Sequence, residues 1–166
     1  MNKILPKKYD EFLEKGYWDK FFNKVKKSSD EYFEWYGEYK DFAPILNSYI
    51  ANQNSILNIG CGKSLLSEQM YDNGYENQVN IDFSEKVIKG TKSYFSFLLI
   101  LFSVEMAERS KTKRPKMVYE VMDIFNMTYK DNSFDVILDK GTRIFKGQIL
   151  ILINRCIGCF VPKGYS

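Results

Sequence analysis

Residues 55–84, SILNIGCGKSLLSEQMYDNGYENQVNIDFS, constrain the fold more than any other stretch of the sequence. A short apolar run meets the turn Gly60-Cys61-Gly62, a helix-like segment follows from Leu65, and a second apolar run stops at Asp82. Two buried strands joined by a helix pair in parallel, because a long crossover returns the chain to the same end of the sheet. The stretch therefore predicts a right-handed strand, helix, strand unit.

The same alternation continues downstream and sets the fold class. The predicted elements are strand 55–59, helix 64–73 with Ser64 as its N-cap, strand 78–82, a helix from 84, and strands 117–121 and 134–138. Apolar residues at helical spacing also predict helices at 8–27, interrupted or bent near Gly16, and at 39–51. We expect an α/β, Rossmann-like, doubly wound and mostly parallel sheet with an N-terminal helical cap. The chain is read as one domain, 1–166, with the cap at 1–52 and the core at 53–142.

Composition excludes several kinds of chemistry. The chain contains no histidine, which removes imidazole-based triads and HExxH zinc sites. Three cysteines without a regular framework and a charged N-terminus without a signal-peptide core indicate a cytoplasmic protein. A net charge of +3 predicts neither a nucleic-acid nor a membrane partner, and the basic run at 111–116 reads as a solvated loop. No metal site is expected, and Cys156 and Cys159 read as incidental thiols.

The glycine turn and Asp82 together indicate a nucleoside-containing ligand. Glycines let the backbone turn tightly at the end of the first strand, and an acid at the end of the second can accept both ribose hydroxyls. A dinucleotide fingerprint needs a third glycine where Leu65 stands, and the phosphate-binding loop of NTPases needs one five residues before Gly62. A ligand with adenosine but no phosphate, such as S-adenosylmethionine, is favoured. A glycine turn that serves packing only is the alternative.

Two further aspartates follow predicted strands at the same edge of the sheet. Asp123 comes just after the third strand, and Asp139 ends the fourth, followed by Lys140. Either aspartate alone would be an ordinary strand-terminating turn residue. Three aspartates at the carboxyl ends of neighbouring strands, namely Asp82, Asp123 and Asp139, are more typical of a ligand site.

At these motifs the chain resembles a known family. LNIGCGKSLLSEQMYDNGYENQVNIDFSEKVI, MDIFNMTYKDNSFDVILDKGT and the upstream YWDKFF and EWYGEY are similar to S-adenosylmethionine-dependent methyltransferases that modify lysines of translation elongation factor one-alpha. The resemblance covers residues 17–89 and 106–142. It implies methyl transfer to a protein lysine, with that elongation factor as the candidate partner.

The resemblance also implies a set of cofactor-binding residues. Trp18, Phe22 and Trp35 would enclose the cofactor, although Phe22 replaces a tyrosine and lacks its hydroxyl. The remaining residues would contact the methionine part, the ribose, the adenine and the far side of the cofactor, and they are Gly60, Gly62, Asp82, Phe83, Asp123, Ile124, Asp139 and Lys140. No catalytic residue is assigned, since alignment of an unprotonated amine with the methyl group can supply most of the catalysis.

Two segments depart from the family pattern. Residues 90–105 form an apolar insertion too short to span a membrane, where about twenty residues are needed. Residues 143–166 replace an expected helix and strand, so we expect the C-terminal strands of the fold to be missing. The fourth strand would then have an open edge unless QILILI, at 148–153, covers it. A truncated, catalytically inactive relative with weak cofactor binding or an interaction role is the alternative function.

Overall fold

The computed structural model describes residues 14–25, 34, 36–88, 113–142 and 150–153. Their elements alternate between helix and strand over most of this length. In chain order they are α1 (Lys15–Val25), α2 (Tyr39–Tyr49), β1 (Ile56–Ile59), α3 (Leu66–Asp72), β2 (Gln78–Asp82), α4 (Glu85–Ile88), β3 (Val118–Val121), a short 3-10 helix (Ile124–Asn126), β4 (Val136–Asp139) and β5 (Leu150–Ile153).

The strands form one sheet in the order β3-β2-β1-β4-β5. β1 pairs in parallel with both β2 and β4, and β2 pairs in parallel with β3. Ile59 lies opposite Ile81 on one side and Asp139 on the other, so the carboxyl ends of these strands meet at one edge. The predicted α/β, mostly parallel fold is confirmed, and each predicted strand lies within two residues of its observed position.

The predicted start and N-cap of helix α3 are wrong. Helix α3 begins at Leu66 with Leu65 as its N-cap, and Ser64 lies one residue too early for that role. The Ser64 hydroxyl still accepts a hydrogen bond from the Leu66 amide, at 3.1 Å. Helix α1 begins at Lys15, one residue before Gly16, and this glycine lies in its first turn. Residues 8–13 of that predicted helix lie outside the described residues.

Strand β5 covers the free edge of β4. It pairs antiparallel with β4, with Leu152 opposite Ile137 and Ile151 opposite Leu138. The four residues belong to the apolar segment that the sequence offered as a cover for this edge, and the pairing satisfies the backbone groups of β4. The rest of the 143–166 tail and the whole 90–105 insertion lie outside the described residues.

Apolar side chains cover both faces of the sheet. On one face, α2 and α3 pack Leu46 and Met70 against Ile56 and Val136. On the other, Leu57, Ile81 and Ile137 pack beneath residues of the loops that follow β3, including Met122, Met127 and Tyr129. All four residues of β1 are buried, as expected for the central strand of a parallel sheet.

A buried polar network crosses the centre of the sheet. The Asn58 side-chain amide donates to the oxygens of Gln78 at 2.8 Å and Asn80 at 2.7 Å. Asn80 in turn donates to the Val118 carbonyl at 3.0 Å, and Gln78 donates to the carbonyl of Ser67 at 3.0 Å. The network therefore links β1, β2, α3 and β3, and its satisfied hydrogen bonds favour one strand register.

Helix α1 packs on the same core as the sheet. Phe21 and Phe22 are buried against Val87 and Ile88 of α4. No helix in the described part of the chain is long and apolar enough to cross a membrane.

Candidate cofactor-binding site

The two glycines of the turn after β1 have the same left-handed backbone conformation but different neighbours. Gly60 has φ +57° and Gly62 has φ +54°, values that side chains rarely tolerate. A Cβ on Gly60 would lie 1.9 Å from Oγ1 of Thr142, so this position is closed by the loop after β4. A Cβ on Gly62 would make ordinary contacts with Phe22, at 3.7 Å from its Cζ, and with the Gly60 carbonyl oxygen, at 4.0 Å. Gly60 is therefore required by packing, whereas Gly62 faces the aromatic side of the turn.

Asp82 is buried at the end of β2 and faces this turn. Its Oδ2 accepts a hydrogen bond from the Gly62 amide at 3.0 Å, and its Oδ1 accepts one from the Ser84 amide at 2.9 Å. Burial raises the pKa of Asp82 to about 6, against the lowering effect of these two N–H groups, and the nearby Asp19 raises it further. A carboxylate offers about four acceptor positions, so two more donors can be satisfied here. Phe83, the next residue, is partly buried.

Aromatic side chains of α1 lie over the glycine turn. The rings of Trp18 and Phe22 stack with their centroids 5.8 Å apart, in a cluster that includes Cys61 of the turn. A hydrogen bond anchors α1 to the segment after β2, because the Ser84 hydroxyl donates to Asp19 Oδ1 at 2.8 Å. Phe22 is thus placed beside Gly62, and Trp18 stacks on Phe22. Trp35, the third predicted aromatic, lies outside the described residues.

Asp123 and Ile124 follow β3 at the same edge. The Asp123 carboxylate caps the short 3-10 helix, with Oδ1 accepting from the Phe125 amide at 2.9 Å and Oδ2 from the Asn126 side chain at 3.3 Å. Ile124 packs against the buried cluster of Leu57, Ile59 and Ile81. Asp123 therefore acts as a turn residue after its strand, which is one of the two roles that the sequence indicated. The two hydrogen bonds leave further acceptor positions on its carboxylate.

Asp139 and Lys140 lie on the other side of β1. Asp139 is buried, and its Oδ1 accepts from the Thr142 amide at 2.7 Å. The Thr142 hydroxyl donates to the Ile59 carbonyl at 3.1 Å, which fastens the loop after β4 to the end of β1. The Lys140 ammonium forms an ion pair with Glu34 and donates to Oγ of Ser64 at 2.8 Å. Burial lowers the pKa of Lys140, and the Glu34 carboxylate opposes that change.

The structure brings the predicted residues together in two groups at one sheet edge. The first group contains Trp18, Phe22, Gly62 and Asp82. The second group contains Asp139 and Lys140, and Thr142 of the same loop lies against Gly60 of the turn. Asp123 adjoins the first group because the Met122 amide donates to the Asp82 carbonyl at 3.0 Å. A buried carboxylate, free acceptor positions and aromatic faces are chemistry suited to a ligand with hydroxyl groups and a ring.

Sequence reasoning missed four residues that hold these groups in place, namely Asp19, Glu34, Ser84 and Thr142. Their positions carried a weak signal, because each lies within or beside a motif that was recognised for other residues. The partners of their side chains are distant in the chain, so only the fold reveals these contacts. Among the residues that the structure describes, no group of acids and cysteines could hold a metal ion.

Comparison with known proteins gives a consistent set of similarities. Residues 50–157 match the profile of the methyltransferase domain family. The eEF1A lysine and N-terminal methyltransferases of Bos taurus and Homo sapiens are 43% and 44% identical to this chain over 139 residues, which are 84% of this chain and 17% of each relative. The EEF1A lysine methyltransferase 4 of Mus musculus is 27% identical over 138 residues, 83% of this chain and 47% of that protein.

The chain spans about a sixth of the length of the first two relatives. Among solved structures, an S-adenosylmethionine-dependent methyltransferase from Mesorhizobium loti has a TM-score of 0.39 and 18% identity, and the similarity covers 58% of this chain and 38% of that one.

Proposed function

Because the chain belongs to the methyltransferase domain family, we propose that it binds S-adenosylmethionine, the family's cofactor, and transfers a methyl group to a protein lysine. The observation that supports this most is the buried Asp82 carboxylate, which faces the glycine turn and keeps acceptor positions for two more donors. An adjacent pair of ribose hydroxyls would supply those two donors.

We propose roles for the other site residues on the same basis. Trp18, Phe22 and Trp35 would cover the cofactor with apolar surface, and Phe22, without a hydroxyl, would contribute contact area alone. Phe83 would lie against the ribose and the adenine. Asp123 and Ile124 would contact the adenine, where a carboxylate can accept from an amino group. The remaining residues would contact the methionine part and its far side, and they are Gly60, Gly62, Asp139 and Lys140.

The proposed mechanism relies on orientation. When bound, S-adenosylmethionine would supply a methyl group on a positively charged sulfur. An unprotonated lysine amine can attack the carbon of this methyl group directly, and S-adenosylhomocysteine leaves as the carbon–sulfur bond breaks. The chain has no histidine, so no imidazole removes the proton from the incoming lysine. Holding the amine and the methyl group in line can account for a large part of a rate enhancement, because the entropy of bringing them together is lost on binding. The rigid carboxyl edge of the sheet and the aromatic side chains of α1 would provide that orientation.

The proposed substrate comes from the names of the relatives, which act on eEF1A lysines. We propose translation elongation factor one-alpha as the first substrate to test and the cytoplasm as the location. We also propose that the cap, 1–52, and the core, 53–142, act as one unit, since α1 packs directly on α4 and the glycine turn.

Calorimetric titration of the purified chain with S-adenosylhomocysteine tests the cofactor site. We expect micromolar binding that is lost in Asp82→Ala and kept in Asp72→Ala, because Asp72 is an exposed aspartate of α3 away from the turn. A folded chain that did not bind would contradict the proposed function. Incubation with labelled S-adenosylmethionine and elongation factor one-alpha then tests transfer, and binding without transfer would favour the non-catalytic alternative.

A further inference from the structure

One carboxylate, that of Glu34, receives hydrogen bonds from three donors. Its Oε1 accepts from the Ser64 hydroxyl at 2.7 Å and from the Leu65 amide at 2.6 Å. Its Oε2 accepts from the Lys140 ammonium. Lys140 also donates to the Ser64 hydroxyl at 2.8 Å, so the three side chains form a closed triangle. Hydrogen bonds that involve a charged partner are the stronger ones in proteins.

The donors come from two loops that are far apart in the chain. Ser64 and Leu65 follow the glycine turn, whereas Lys140 belongs to the loop after β4. Glu34 itself precedes α2, so a third part of the chain closes the gap between these loops. The Glu34 carboxylate therefore connects the start of α3 to the loop that holds Asp139 and Lys140, in addition to the Thr142 contact with the end of β1.

The triangle is shielded from solvent, so the loss of one of its charges would be more costly than at the surface. The Lys140 side chain is 9% exposed and the Glu34 side chain is 11% exposed. A buried ammonium that loses its carboxylate must move towards water or lose its proton, because an uncompensated buried charge is costly. Loss of the Glu34 charge would consequently displace Lys140 from its place at the sheet edge.

Residues next to Glu34 also hold this segment against the rest of the protein. A Cβ on Gly141 would lie 2.6 Å from Cε2 of Tyr36, so the Tyr36 ring rests on the loop after β4. The Tyr39 amide donates to Gln69 Oε1 of α3 at 2.9 Å. Lys140 also donates to the Gly37 carbonyl at 3.5 Å, and Glu34 accepts hydrogen bonds both from the loop after the glycine turn and from Lys140.

We propose that Glu34 is a positioning residue of the cofactor site, which holds Lys140 and the Ser64–Leu65 backbone in the one arrangement that binds the cofactor. This inference rests on the proposed function, since it assigns a role within the same site. Glu34 does not contact the cofactor in this proposal. It acts through Lys140 and through the start of α3.

The test compares Glu34→Gln with Glu76→Gln in the full chain. Both changes remove the carboxylate of a Glu–Lys pair, but the Lys116–Glu76 pair is exposed, at 68% and 46%, and lies before β2, away from the site. We expect Glu34→Gln to weaken S-adenosylhomocysteine binding by about tenfold, as loss of one charge-assisted contact predicts, and Glu76→Gln to leave it unchanged. Titration well below the melting temperature separates positioning from stability, because a purely stabilising residue would lower the melting temperature without changing the affinity.

A second variant and a ligand-free measurement keep the test decisive. Ser64→Ala opens the triangle without leaving a buried charge unpaired, so we expect it to fold and to bind several-fold more weakly. In the ligand-free chain, we expect either change to shift the amide resonances of Lys140 and Gly141 in nitrogen-15 correlation spectra. If the unchanged chain bound no S-adenosylhomocysteine, the proposed function would fail, and these shifts would still decide whether Glu34 positions the loop. Unchanged affinity, or shifts confined to residues beside the substitution, would overturn the proposal.

Discussion

Gly60 and Gly62 belong to one short motif, yet the structure requires them for different reasons. Both have positive φ, which costs an alanine about 1–2 kcal/mol. Only Gly60 is also blocked, because Thr142 Oγ1 occupies the space of a Cβ. The motif therefore combines a packing glycine with a glycine that faces the proposed ligand site.

We predict that Gly60→Ala lowers the free energy of unfolding by about 3 kcal/mol or more, since backbone strain and overlap add together. Gly62→Ala should cost only about 1 kcal/mol, because its Cβ would make an ordinary contact with Phe22. Urea denaturation of both variants measures the difference. As a control, adding Thr142→Ala to Gly60→Ala should recover part of the loss, and equal costs for the two single variants would contradict the prediction.

Between elements, a single arginine joins α3 to the segment before β3. Arg114 donates to Asp72 Oδ1 at 2.9 Å and forms an ion pair with Glu68 at 2.7 Å. The Arg114 and Glu68 side chains are 12% and 6% exposed. The sequence indicated a solvated basic loop, and this interpretation is wrong for Arg114, because its partners on α3 are distant in the chain. Lys116 fits it, since its side chain is exposed.

We predict that Arg114→Met lowers the free energy of unfolding by about 3 kcal/mol, because it removes the guanidinium from a buried carboxylate. Lys116→Met is the matched control, and loss of its exposed pair with Glu76 should cost less than about 1 kcal/mol. Both values come from chemical denaturation at one pH. A cost for Arg114→Met no larger than that of the control would show that the buried pair does not hold α3 in place.

For the whole molecule, Asp82 couples folding, pH and the proposed ligand. Its pKa is about 6 in the folded chain and 3.8 for an ordinary aspartate, so the folded state binds the proton more tightly. The contribution of this group to stability is complete below about pH 4 and is lost as the pH rises through about 6. Ionisation has the opposite effect on binding, because the carboxylate must accept hydrogen bonds from the ligand.

We predict that the unfolding free energy of the unchanged chain, minus that of Asp82→Asn, falls by about 2 kcal/mol between pH 4 and pH 7. The difference isolates Asp82, because the other carboxylates titrate alike in both proteins. Affinity for S-adenosylhomocysteine should rise over the same interval in the unchanged chain. Denaturation and titration at several pH values measure both quantities, and a pH-independent difference in stability would contradict the assigned pKa.

The local pattern was enough to place most of the sheet. Apolar runs that end at Ile59, Asp82 and Asp139 can be recognised in the sequence, because strands and their terminating residues depend on neighbours in the chain. The glycine turn and the three aspartates were found for the same reason. The predicted start of α3 is two residues too early: the N-cap is Leu65, and its amide donates to Glu34, a contact between distant parts of the chain that neighbouring residues do not indicate.

The sequence alone determined the α/β class, the parallel pairing of the first four strands, and the edge where the candidate site lies, because periodicity and turn residues act over a few positions. Only the tertiary structure decided which residues hold that site together. The Asn58 network, the Thr142 contact that closes Gly60, and the Glu34–Lys140 pair each join residues more than nineteen positions apart. Such contacts depend on the distances between packed elements, and no short stretch of sequence contains that information.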